Sequence, residues 1–198
     1  MGRKHGTWTV ESSERLYADE FAEVWVDEVS RPDGEPARRV TMRMKPGVAV
    51  LALDEEGFAH LVKTFRYAVG KESIEAVQGG TEEGEEPLES ARRELKEELG
   101  IEAEEWVDLG LVDAVTSQVY APARIFLARR LKFGEHERES TESLQPLKVK
   151  FDEAVRMVLD GRITQGISCT LILKTARLLE SEAARGRGFE PQRHRDTA

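Results

Sequence analysis

Residues 79–101 read GGTEEGEEPLESARRELKEELGI. Pro87 suits the first turn of a helix and Gly100 the position just past its end, so the second half of this stretch predicts a helix. On that helix Glu94 and Glu98 share a face, with Glu97 on the adjoining edge. Leu88, Ala91, Leu95 and Leu99 form an apolar stripe beside them, which puts the carboxylates at the margin of the buried face. Like charges at this spacing repel unless a cation offsets them. Mg2+ takes oxygen ligands and commonly binds one or two carboxylates together with substrate phosphates, so that is the chemistry this set suits. A solvated acidic helix, compensated by Arg92, Arg93 and Lys96, has the same composition. The helix alone leaves both readings open.

The wider spacing separates them. Gly79, Glu85, Arg93, Glu94, Leu95, Glu97, Glu98, Gly100 and Ile101 follow G-x5-E-x7-R-E-U-x-E-E-x-G-U, where U is a bulky aliphatic residue. In this the chain resembles the Nudix hydrolases, which cleave a nucleoside diphosphate linked to another moiety X using Mg2+ or Mn2+. The resemblance implies a loop–helix–loop on a mixed sheet sandwiched between helices. It implies that Glu94 and Glu98 are the core metal ligands and that Glu97 is a further ligand or a contact to metal-bound water. The backbone carbonyl of Gln78 completes the shell, and Arg93 pairs with Glu85 to orient the helix. Gly79, Glu85 and Gly100 are thus structural members of the motif.

A base from outside the helix is also implied. The loop GEHERESTES holds Glu135, Glu137, Glu139 and Glu142, and the chain beyond it resembles the segment after the catalytic loop of ADP-ribose pyrophosphatases. Aligning through DGRI places Glu142 on the catalytic loop glutamate, with Glu139 next. The run VKTFRYAVGKESIEAVQGG resembles the strand and loop leading into the motif, giving Arg66 a phosphate or ribose and Glu75 the terminal sugar or the metal; a surface salt bridge is the other reading of Arg66. Two departures stand out. That subfamily reads Glu-x-Pro-Ala-Gly where this chain has Glu75-Ala76-Val77-Gln78-Gly79, and Ser-Pro-Gly plus an acid where this chain has residues 116–122, TSQVYAP. Tyr120 in that loop is a candidate to stack a base or line the pocket, or simply to pack. The leading expectation is therefore Mg2+-dependent hydrolysis of ADP-ribose or a related nucleoside diphosphate sugar to a nucleoside monophosphate and a sugar phosphate. Dinucleoside polyphosphates or RNA 5′ ends are the alternative substrates, and a non-catalytic sensor module is a third reading.

Other elements must position this set. Turn chemistry at RPDGEP separates the β-rich runs FAEVWVDEV and ARRVTMRM, and a second hairpin joins VAVLAL to HLVKTF around DEEG. Strands are predicted over 106–112, 123–131 and 147–150, then a short helix from Asp152 and a longer amphipathic one over 167–184. The fold class expected is α/β (α+β): a mixed sheet between helices with a small N-terminal β-hairpin subdomain. Residues 1–45 form that subdomain, whose first dozen residues read as loosely ordered and which the resemblance marks as a dimerisation element. The hydrolase domain covers 46–184 and a disordered basic tail 185–198. With 198 residues and 39% hydrophobic content, one sizeable core is expected. The net charge of −9 argues against a stable nucleic-acid partner and leaves room for a local basic pocket for a small nucleotide. Cys169 is the only cysteine, and no apolar run is long enough to span a bilayer, which together fit a cytoplasmic setting; the homodimer is what the resemblance implies.

Overall fold

The structure is a computed structural model that describes residues 2–134 and 144–188. The first subdomain is a sheet of β1 (Arg3–His5), β2 (Trp8–Ala18), β3 (Ala22–Ser30) and β4 (Pro36–Met44). The expectation of a loosely ordered start is corrected: Arg3–His5 and the chain from Trp8 onward are paired strand, with Val10 opposite Val29 and Thr9 opposite Ser30. Strand β2 is polar and exposed along most of its length, so no local apolar alternation announces it. Its partner supplies the ladder that holds it extended.

The main sheet contains β5 (Gly47–Leu53), β6 (Phe58–Arg66), β7 (Lys71–Glu75), β8 (Val77–Gly80), β9 (Ile101–Asp113), β11 (Pro122–Phe133) and β12 (Gln145–Lys150). Its central path runs β12-β6-β5-β11-β9, with β7 paired to β6 and β8 to β5. Between β9 and β11 lies β10 (Val119–Tyr120), which leaves this sheet to pair in parallel with β4. That pairing joins the two sheets through a segment the sequence reading left as loop.

Among the described residues the α-helices are α1 (Pro87–Leu99), α2 (Phe151–Leu159) and α3 (Gly166–Gly188). Helix α1 follows the sequence closely, with Pro at its first turn and Gly100 in the left-handed region at φ 64°. Helix α3 runs to Gly188, so the first residues of the expected tail are helical, while 189–198 lie outside the described residues.

Strand β5 explains the layering. Val48, Val50 and Ala52 pack with Ala91, Leu95 and Leu99 of α1. The alternate residues Ala49, Leu51 and Leu53 pack with Ala154, Met157, Leu171 and Ile172 of α2 and α3. A strand buried on both faces needs an unbroken apolar run, which VAVLAL supplies. The expected sandwich of a mixed sheet between helices is what forms. Among the described residues no helix is long and apolar enough to cross a membrane.

At the far edge of the sheet, Asp54 receives His60 Nε2 at 3.0 Å, Lys148 Nζ at 2.9 Å and the Phe58 amide at 2.8 Å. Burial resists ionisation of Asp54, but these donors, Lys148 foremost, outweigh it and bring its carboxyl from 3.8 to about 2. A depressed carboxyl stabilises the fold above its unfolded value and loses that contribution as pH falls through its folded value. Asp54→Asn is therefore expected to lower the melting temperature near neutral pH. It should also flatten the decline between pH 3.8 and about 2, read by thermal melts across pH.

Candidate active site

Helix α1 carries the acidic set, and its burial explains its orientation. Ser90, Ala91, Leu95 and Leu99 are buried against the sheet, so Glu94 and Glu98 emerge at the margin. Arg93 organises the entry. Its Nε and Nη2 each donate to Glu85 at 3.2 Å, and Nη2 also donates to the Gly80 carbonyl at 2.9 Å. Its Nη1 donates to Glu94 Oε1 at 2.8 Å and to Glu97 Oε2 at 3.3 Å. Glu85 further accepts the Ser90 hydroxyl at 2.7 Å and the Glu82 amide at 3.1 Å. Hydrogen bonds from Arg93 and then Ser90 hold the Glu85 carboxyl down at about 2, and Glu85 in turn raises Arg93 above its ordinary value.

Strand β8 brings Gly79 beneath Glu94. A Cβ at Gly79 would lie 1.8 Å from the Glu94 carboxyl carbon, so the helix carboxylate occupies the space of the missing side chain. The ladder of β8 on β5 pairs Gln78 with Ala49 and Gly79 with Val48.

Glu94, Arg93, Gly79, Gln78, Glu75 and Arg66 line one cavity of about 860 Å³. That lies within the range of small-ligand sites, which run to about 1,000 Å³. Glu75 is 2% exposed and takes a two-bond clamp from Arg66, with Nε to Oε1 at 3.1 Å and Nη2 to Oε2 at 2.7 Å. The sequence-derived set is thus brought together at one place for these six residues. Tyr120 goes elsewhere: it is 60% exposed on β10 and lines a second cavity of about 640 Å³. Glu139 and Glu142 lie outside the described residues. The first cavity also has walls that sequence reasoning did not reach, namely Phe21, Lys45, Lys71 and Gln165. Phe21 sits in the turn between β2 and β3 and is 67% exposed. No spacing links these residues along the chain, because four separate segments deliver them.

The donor set fits a hard cation. Glu94 and Glu98 are oxygen donors one helical turn apart, Glu97 adds a third, and the strand carrying the Gln78 carbonyl is held beneath Glu94 by the Gly79 contact. Among the described residues no three acidic, imidazole or thiol groups already converge on one point. Arg93 now bridges Glu94 and Glu97, supplying part of the charge that a cation would balance.

Comparison with known proteins decides the family. The NUDIX domain model matches residues 43–157. The chain belongs to the Nudix family. It is 30% identical over 151 residues to the ADP-ribose pyrophosphatase of Bacillus subtilis (strain 168), covering 74% of this chain and 80% of that protein. It is 29% identical over 169 residues to the methanol dehydrogenase activator of Bacillus methanolicus, covering 82% and 89%. A solved structure of an ADP compounds hydrolase superposes with a TM-score of 0.76 at 20% identity, covering 91% of this chain and 98% of that one. That likeness gives the Nudix fold. The protein is a Nudix hydrolase of the ADP-ribose pyrophosphatase-like kind.

The Gly79 contact yields a test. Gly79→Ala must displace the Glu94 carboxylate, because the new methyl would stand where that group now lies. A displacement on the order of 1 Å costs about a hundredfold in turnover. The Nudix hydrolase carrying this change is expected to lose about that much activity in steady-state assays. Its far-ultraviolet circular dichroism should stay that of the wild type.

Proposed function

We propose that this protein hydrolyses the pyrophosphate bond of ADP-ribose or a related nucleoside diphosphate sugar, with Mg2+ as cofactor and Mn2+ able to replace it. One observation carries the reading: the signature helix, through Arg93 and Glu94, opens on the same cavity as Arg66 and Glu75. A cavity of about 860 Å³ suits a dinucleotide-sized ligand, and Lys45, Lys71, Arg66 and Arg93 line it in a protein of net charge −9. Its B. subtilis relative is an ADP-ribose pyrophosphatase, which supports the choice of substrate class.

Glu94, Glu98, Glu97 and the Gln78 carbonyl are the groups that would hold the metal. When bound, the cation would neutralise the diphosphate and make water nucleophilic near neutral pH. Arg93 keeps the glutamates aligned by tying them to Glu85 and to the Gly80 carbonyl. Arg66 steadies a phosphate or ribose oxygen, with Glu75 as its anchor. Phe21, an exposed aromatic on the cavity wall, offers a face for the base. Glu142, with Glu139 as the next choice, accepts the proton from the attacking water.

The same reading proposes a homodimer formed through the N-terminal sheet. Leu16, Tyr17, Val40, Met42 and Met44 are all exposed on that sheet, apolar side chains of the kind that interfaces cover. A reducing, cytoplasmic setting fits the single cysteine, and the acidic net charge fits a small-molecule partner in preference to nucleic acid.

Incubation of the pure protein and Mg2+ with ADP-ribose, other nucleoside diphosphate sugars, NADH, dinucleoside polyphosphates and capped RNA is expected to give fastest release of a nucleoside monophosphate from the first two groups. Faster cleavage of a dinucleoside polyphosphate or of RNA ends would replace the substrate, and no cleavage of any would reject the activity. Glu98→Gln is expected to lower kcat by about a hundredfold or more, since it removes a charged group that the transition state needs. Wild-type turnover in that variant, with its fold intact by circular dichroism, would remove Glu98 from the metal shell.

A further inference from the structure

Beneath Arg66 the buried polar side chains form one hydrogen-bonded line, and its direction can be followed bond by bond. It begins at the N-terminus of α3. The Cys169 amide donates to the Gln165 carbonyl at 2.9 Å, so Gln165 is the residue on which the helix starts. The Ser168 amide donates to Gln165 Oε1 at 2.6 Å. A backbone N–H can only donate, which fixes the oxygen end of the Gln165 amide and leaves its nitrogen pointing away. That nitrogen donates to Gln78 Oε1 at 3.1 Å. The Gln78 nitrogen is thereby turned towards Ser168 Oγ at 3.2 Å and Glu75 Oε2 at 3.3 Å. Fully buried Ser168 also accepts the Ala76 amide at 3.0 Å, and Glu75 ends the line in its clamp on Arg66. Reversing either amide would set oxygen against oxygen or nitrogen against nitrogen at the next joint, so the orientation of both is determined by the helix end and not by choice of placement.

The line has a consequence for Arg66. A carboxylate as buried as Glu75 is held in place by its partners, and its position sets that of the guanidinium clamped on it. Gln78 contributes through its side-chain amide, which joins Gln165 on one side to Ser168 and Glu75 on the other. We infer that Gln165 and Gln78 are positioning residues that hold Arg66, through Glu75, at the cavity where it meets an anionic oxygen of the substrate. The substrate named in the test rests on the proposed function; the relay itself does not.

The discriminating variant is Gln165→Glu. It keeps the oxygen that receives the Ser168 amide, and an acid suits a helix N-terminus, so the helix end is retained. It replaces the donor to Gln78 by an acceptor, which sets oxygen against the Gln78 oxygen and breaks the line at that one joint. The far-ultraviolet circular dichroism is expected to match the wild type, while KM for ADP-ribose rises about tenfold, the scale of one lost hydrogen bond. The kcat should change by less than about twofold, because the lost contact is made equally in the ground and transition states. Arg66→Ala should raise KM at least as much, and the double variant should be no worse than Arg66→Ala alone, since both act through one contact. Independently of turnover, the proton–nitrogen resonance of Arg66 Nε–H should exchange slowly with water in the wild type and quickly in Gln165→Glu. An unchanged KM, additive effects in the double variant, or slow exchange retained in Gln165→Glu would each overturn the relay. If the wild type leaves ADP-ribose intact, the proposed substrate fails, and the exchange measurement still decides the relay.

Discussion

Arg93 is the constraint on which the rest of the site depends. Helix α1 carries Glu94, Glu97 and Glu98 within two turns, and at this density their mutual repulsion works against the helix. The guanidinium answers it from the same helix, reaching Glu94 and Glu97 through one nitrogen. Its other nitrogens reach out of the helix to Glu85 and the Gly80 carbonyl, so the loop before α1 is fastened to the helix body. Arginine is needed for this because a planar fork can serve several acceptors at once, which a lysine ammonium on a flexible stem does less well. With Arg93 and Glu85 both partly buried, the pair is worth more than an exposed one, and it sets the direction of the carboxylates.

The second constraint is closeness of backbone. Strand β5 is buried on both faces, and β8 lies along its first half with α1 across it. At this crossing there is no room for side chains: a Cβ at Gly79 would strike Glu94, and one at Gly47 would come within 3.0 Å of the Gly79 carbonyl. The helix can therefore lay a carboxylate directly over the strand. Glycine at position 79 serves a tight approach here, not a turn.

The N-terminal sheet is built differently. Its buried apolar residues are few, Val10, Val26 and Val29, and much of its apolar surface is exposed. It is held to the main sheet through the short parallel pairing of β10 with β4, and it supplies Phe21 and Lys45 to the cavity wall. Strand β2 was illegible from its sequence for the same reason: WTVESSERLYA carries little apolar alternation, and its extended form comes from pairing with β3. Hairpins with strong turn residues, such as RPDGEP between β3 and β4, were legible because the turn itself specifies the pairing.

The amino-acid sequence by itself determined the helix from Pro87 to Leu99 with its stop at Gly100, the strand character of VAVLAL and, through the motif and its resemblance, the family and the expected pairing of Arg93 with Glu85. These are properties of local spacing: 3.6-residue periodicity, turn chemistry, and a motif whose members lie within 23 residues. Only the tertiary structure decided that Arg66 and Glu75 share a cavity with Glu94, that Tyr120 faces a different one, and that Gln165 reaches Gln78 across 87 positions of chain. Contacts of that range depend on how β6, β8 and α3 cross in space. The physical reason is that a side chain records its own element's periodicity, whereas its partner on a distant element is chosen by packing and by the need of every buried polar group for a bond.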